Sequence, residues 1–103
     1  NFMYPPFYKI IELTLKHKKE YILDIAAHKL AEALKVPFKE RVLGPEYAII
    51  PRVNNQFIKV IKLRYEKTVS DKAVKEKVQK VLNEFFTHPD NKSVRLSIDV
   101  DPV

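Results

Sequence analysis

Val42-Leu43-Gly44-Pro45-Glu46-Tyr47-Ala48-Ile49-Ile50-Pro51 and Phe57-Ile58-Lys59-Val60-Ile61-Lys62-Leu63-Arg64-Tyr65 are two runs rich in β-branched and aromatic residues, separated by a short polar stretch around Asn54-Asn55. Asparagine tolerates positive φ better than most residues, so this pair can make the tight reversal that Asn-Gly makes elsewhere. Arg41 to Tyr65 therefore reads as a β-hairpin, and it holds the only glycine of the chain, Gly44.

Working outward from the hairpin, Ile11, Leu13 and Leu15 alternate with Glu12, Thr14 and Lys16, so Phe7 to Lys16 has the period of a half-buried strand. Between the two, Leu23, Ala27, Leu30 and Leu34 recur at helical spacing, with Ala26 and Ala33 in the same stripe. That helix is expected from Glu20 to Leu34, ending near Lys35 with Pro37 beyond it. Beyond the hairpin, Ser70 can cap a second helix from Asp71 to about Thr87, with Val74, Val78, Val81 and Phe85 facing inward. Its outer face spaces Lys72, Glu76, Lys80 and Glu84 four apart, an expected ion-pair ladder. The turn His88-Pro89-Asp90-Asn91 leads into Val94 to Asp101, the cleanest alternation in the chain, and Pro102 ends it.

Strand, helix, strand, strand, helix, strand predicts an α+β fold, the split βαβ or ferredoxin-like sandwich. Two helices then cover one face of a four-stranded antiparallel sheet. The first and third strands are placed side by side at its centre, and are read as parallel, with both helices starting at one end of the sheet. Asn1 to Pro6 reads as a tail from an upstream core, and 7–103 as the domain.

Composition narrows the function. The 103 residues suffice for one domain, and 19 Lys and Arg against 13 Asp and Glu leave a net charge of +6. That balance favours polyanions or an acidic partner surface, although solubility alone also accounts for such a charge. Without cysteine there is no disulfide framework and no thiolate zinc site. No apolar run approaches the roughly 20 residues of a membrane span, and no secretory leader opens the chain, so a cytoplasmic protein without membrane contact is expected.

No catalytic constellation emerges. A phosphate-cradling glycine loop, a nucleophile elbow and a two-histidine helix motif are all absent. Asp24, His28 and Glu32 share a helix face at metal-ligand spacing, but a fourth ligand has no source, so they read as a solvent-facing ion-pair ladder. His17 and His88 fall in turns. Asp99 and Asp101 are expected to meet Lys or Arg across the sheet. The chain itself reads as non-enzymatic, with no catalytic, cofactor or metal site.

Two cation patterns follow from the layout. Lys16, Lys18 and Lys19 follow the first strand, and Arg64, Lys67, Lys72 and Lys75 surround the junction after the third; as read, the two groups meet beside both helix amino termini, a setting for phosphate or carboxylate. On the outward face of the sheet, Lys62, Arg64, Arg95, Ser97, Thr14 and Lys16 are expected among Ile10, Ile58 and Val60, with Tyr8 as a base platform. A mixed face of this kind suits single-stranded nucleic acid, and equally an inter-domain contact.

Four stretches carry a resemblance. Tyr4-Pro5-Pro6-Phe7, Val42-Leu43-Gly44-Pro45, Ile61-Lys62-Leu63 and the closing Val94-Arg95-Leu96-Ser97-Ile98-Asp99-Val100-Asp101-Pro102 occur in the order seen in the C-terminal domain of primosomal protein N′, and the chain resembles that family over its whole length. The family is that of bacterial superfamily 2 replication-restart DNA helicases. The resemblance implies a parent ATPase with ATP, magnesium and zinc sites outside this segment, and a fold like a small-subunit ribosomal protein. It further implies a non-motor module that helps bind branched and single-stranded DNA, docks on the helicase core, and works beside the acidic tail of single-stranded DNA-binding protein and other primosome proteins. Two positions depart from the family pattern. Its hairpin commonly turns through a basic, glycine-containing stretch, where Val53-Asn54-Asn55-Gln56-Phe57-Ile58 stands here, leaving Arg52 and Lys59 as the nearest charges. Lys72 and Lys75 stand where arginine is common, without its bidentate fork. The alternative reading is a purely structural docking module that touches no DNA.

Overall fold

The computed structural model describes residues 8–66 and 68–100, the side chains of 49–51 and 90 excepted. The elements run β1 (Tyr8–His17), α1 (Glu20–Phe38), a 3-10 turn (Lys39–Arg41), β2 (Val42–Val53), β3 (Gln56–Glu66), α2 (Asp71–Phe85), a second 3-10 turn (Pro89–Asn91) and β4 (Arg95–Val100). The strands lie in the order β2-β3-β1-β4 and every neighbouring pair is antiparallel, which is the split βαβ sandwich that the sequence predicts. The expected tail, Lys67 and Asp101 lie outside the described residues. Among the described residues no helix is long and apolar enough to cross a membrane.

Alternation decides what each strand gives the core. Ile11, Leu13 and Leu15 of β1 and Ile61, Leu63 and Tyr65 of β3 are buried toward the helices, because period-2 side chains share one face. They meet Leu23, Ala27, Leu30 and Leu34 of α1 and Val74, Val78, Leu82 and Phe85 of α2. Leu82, not Val81, fills the third position of the second stripe; Val81 is only half-buried.

The hairpin forms as its chemistry requires. Asn54 and Asn55 take φ of 52° and 62°, the left-handed values of a two-residue turn whose twist matches the strands. Gly44 sits at φ 103° where the β2–β3 register slips between Leu43 and Glu46.

Three local expectations need correction. First, α1 does not stop near Lys35 but runs to Phe38 with Pro37 in its last turn. Proline gives up one intrahelical bond there, yet Phe38 is buried in the core and the Lys39 N–H donates to the Lys35 carbonyl, so packing carries the helix through. Second, among the described residues no ion pair joins Lys72 with Glu76 or Lys80 with Glu76 or Glu84. Each such pair is worth only about 0.2–0.5 kcal/mol, and these exposed side chains stay solvated instead. Third, β1 and β3 are antiparallel, so α1 starts at one end of the sheet and α2 at the other.

The ends of α2 are closed from opposite directions. Ser70 caps its start by accepting from the Ala73 N–H, as expected. Asp71 beside it accepts from Lys9 at 2.7 Å and from the Tyr65 hydroxyl at 3.0 Å, bonds that hold its carboxyl below the ordinary range. Past the other end, buried Asn91 donates its side-chain amide to the Phe85 carbonyl, satisfying an orphan acceptor of the last turn.

Candidate functional site

The antiparallel order separates the cations that the sequence reading grouped. Because Lys16 pairs with Ile58, and Ile10 with Arg64, the Lys16, Lys18 and Lys19 group stands at one end of the sheet and the Arg64, Lys72 and Lys75 group at the other. At the far end some cations are engaged. Arg41 pairs with Glu66 at 3.0 Å, Lys9 with Asp71 at 2.7 Å, and Arg64 lies 4.8 Å over the Tyr8 ring. The start of α2 is closed by Ser70 and Asp71, leaving its dipole little to offer an anion. Lys72 and Lys75 remain exposed there.

A different group assembles at the near end. Lys16 is directly opposite Arg95 in the β1–β4 register, so the start of β4, the end of β1, the start of α1 and the tip of the β2–β3 hairpin all lie together. Lys16, Lys18, Lys19, Lys92, Arg95 and Arg52 come to this end, and among the described residues none of the six has an ion-pair partner. Arg52 sits 5.0 Å over the Phe57 ring, next in register to His17. α1 begins here at Glu20, and its N-cap Lys19 makes no side-chain cap, so its first amides are open to an anion in a way that those of α2 are not. His17 ties the corner together: Nδ1 accepts from the Lys19 N–H at 2.9 Å, and Nε2 faces the Ser93 hydroxyl at 3.1 Å. Lys92 is not marked by the sequence, since only the pairing of β4 with β1 brings it to this end of the sheet.

On the outward face, Thr14, Lys16, Lys62, Arg64, Arg95 and Ser97 do point away from the helices, together with Ile10, Ile58 and Val60. The centre of that face is not basic. Lys62 is opposite Glu12, and Glu12 is opposite Asp99, so a carboxylate belt crosses the sheet between Lys16 and Arg64. The expectation that Asp99 meets a cation across the sheet is thus corrected: its register partner is Glu12, and among the described residues it forms no ion pair.

Lys59 also leaves the list of accessible cations. It faces the helices, 7% exposed, ion-paired with Asp24 and 4.5 Å over the Tyr47 ring. Tyr47 in turn donates its hydroxyl to Glu20, so edge strand β2 is tied to the first turns of α1. Asp24, His28 and Glu32 form neither the metal set nor the ladder: Asp24 holds Lys59, His28 Nδ1 meets the Asp24 carbonyl, and Glu32 reaches Lys35 at 3.8 Å. No three metal-ligating side chains converge among the described residues.

Two measurements probe this tie. The bond to Glu20 pushes the Tyr47 phenol up to about 12, above its ordinary 10.0. A group raised on folding stabilises the fold fully below its unfolded value and loses that contribution as pH rises through its folded value, here between pH 10.0 and about 12. An ultraviolet phenolate titration should therefore show a late component that moves back toward 10.0 in Glu20→Gln. Asp24→Ala leaves Lys59 buried without its counterion, and denaturant unfolding should show a loss of about 1–2 kcal/mol, below the fully buried case because Asp24 itself is partly solvated.

The site and the fold define a class first: a two-layer α+β module with a cluster of six cations around the start of α1 at one end of its sheet. The particular family follows from sequence comparison. The chain belongs to the family described as primosomal protein N C-terminal domain, whose model matches residues 1–103. It is 26% identical over 101 residues to Replication restart protein PriA of Bacillus subtilis (strain 168), a match that covers 96% of this chain and 12% of that relative. The chain thus spans about an eighth of the length of the curated relative it matches.

Proposed function

We propose that this chain is the non-motor C-terminal domain of a replication-restart DNA helicase, and that it holds branched or single-stranded DNA through phosphate attraction with little sequence readout. The observation that carries the reading is the near end of the sheet, where Lys16, Lys18, Lys19, Lys92, Arg95 and Arg52 stand, without ion pairs among the described residues, around a helix start that no side chain caps. Lysine and arginine at that density exchange counterions for phosphates. Phe57, under Arg52, adds a half-buried ring beside the phosphate path. The same cations suit the acidic tail of single-stranded DNA-binding protein, and the site of action is cytoplasmic.

ATP, magnesium and zinc belong to the parent outside this segment. The residues here do not fit them: there is no cysteine for a zinc thiolate, and the single glycine is committed to the β2 bulge rather than to a phosphate loop. A second reading, docking on the helicase core or other primosome proteins, is favoured by a groove of about 430 Å³ between α1 and α2. Ala33, Val36, Pro37, Val81 and Phe85 line it, and Val36 is 79% exposed.

Fluorescence anisotropy of a labelled single strand and a labelled fork against this chain tests the DNA reading. Binding should weaken steeply as salt rises; absence of binding at low salt would leave docking as the function.

A further inference from the structure

The first two turns of α1 carry apolar side chains that the core does not use. Tyr21 and Ile25, four residues apart and so on one side of the helix, are 62% and 52% exposed. Ile25 also lines a groove of about 440 Å³, in which Ile22 and Ala26 of α1 face Pro89, Asn91 and Ser93 of the turn before β4. The turn side of the groove is fixed in place. Asn91 is buried and donates its side-chain amide to the Phe85 carbonyl, while Ser93 meets His17 Nε2. His17 joins this groove to the cation corner, because its Nδ1 accepts from the Lys19 N–H. With Nδ1 accepting, the neutral ring carries its proton on Nε2 and donates to Ser93 Oγ. The Ser93 hydroxyl hydrogen is then available to a ligand acceptor.

We propose, resting on the DNA reading of the near end, that this groove is a nucleobase site: it receives one unpaired base of a single strand while the flanking phosphates lie on the cations of the corner. The chemistry of the lining selects that occupant. Isoleucine, alanine and a proline ring offer apolar surface to a flat ring that has left its stack, and Ser93 offers a donor to an acceptor on the base edge. Lys92 stands between Asn91 and Ser93 in the chain and Lys29 lines the groove; both are exposed, without ion pairs among the described residues, so positive charge borders the apolar floor where phosphates would flank the base. Tyr21, one turn before Ile25, is the platform on which the neighbouring base stacks. A base held in a duplex can reach neither place, so the site favours unpaired DNA, with stacking that tolerates any base.

Anisotropy with two labelled strands of equal length tests the proposal: oligothymidylate, and an abasic strand that presents the same phosphates without bases. The wild type should bind the thymidine strand about three- to tenfold more tightly than the abasic one, with the same salt slope for both. Ile25→Ser and Tyr21→Ser leave the net charge as it is and fall at exposed positions, and circular dichroism verifies that each variant is folded. Each should lower the affinity for the thymidine strand toward that for the abasic strand. Failure of the wild type to bind either strand at low salt would overturn the DNA reading and the base site together. Salt-dependent binding that is equal for the two strands would overturn the base site alone. So would a preference for thymidine that both variants keep, which places the bases elsewhere on the domain.

Discussion

Gly44→Ala should lower the unfolding free energy by about 2–3 kcal/mol and the Tm by about 10 °C. Gly44 lies at φ 103°, which L side chains rarely adopt, and an added Cβ would stand 2.9 Å from the Val60 carbonyl oxygen and 3.2 Å from the Glu46 nitrogen. Both neighbours are backbone, so no side chain can swing aside. Relief must come from moving β2 off β3, the strand with which this edge strand pairs. Asn55→Gly is the control. Its φ of 62° suits glycine, and the change should stay within about 0.5 kcal/mol. Urea unfolding followed by circular dichroism measures both; equal, small losses would contradict the assignment of strain to Gly44.

Lys18→Glu combined with Lys19→Glu should weaken single-strand binding at least about tenfold at physiological salt. It should also reduce the slope of log K against log salt by about 1.4 or more, since each phosphate contact contributes about 0.7 on a single strand. The two lysines stand at the start of α1, at the same end of the sheet as Arg95, and are exposed with no ion-pair partner among the described residues. Stability should hardly change, because neither side chain is buried or paired.

Much of the fold is legible in the sequence because the period-2 and 3.6 patterns are local. Ile11, Leu13 and Leu15, the Asn54-Asn55 turn, and Ser70 as a cap each carry their own physical reason within a few residues. The errors arise where distant chain segments decide. Pro37 ends a helix in isolation, but Phe38 finds a place in the core. Lys59 is a hairpin cation by position, yet Asp24 and Tyr47 reach it from α1 and β2. The largest error is the direction of β3 relative to β1. A hairpin followed by insertion of its second arm beside β1 makes that pair antiparallel, and the reversal moves Arg64, Lys72 and Lys75 the length of the sheet away from Lys18 and Lys19. Conversely, Lys92 follows a turn that Pro89 and Asn91 mark locally, but it joins the site only because β4 pairs with β1 on the side away from β3.

The account therefore stands on which end of the sheet meets DNA. The direct measurement is a salt titration of single-strand binding by anisotropy on two double variants, Lys18→Glu with Lys19→Glu at the near end and Lys72→Glu with Lys75→Glu at the far end. Both carry the same change in net charge, so a general electrostatic effect acts on them alike. DNA contact at the near end predicts a large loss of affinity and of salt slope for the first pair and a small one for the second. Equal losses, or a greater loss at Lys72 and Lys75, would contradict it.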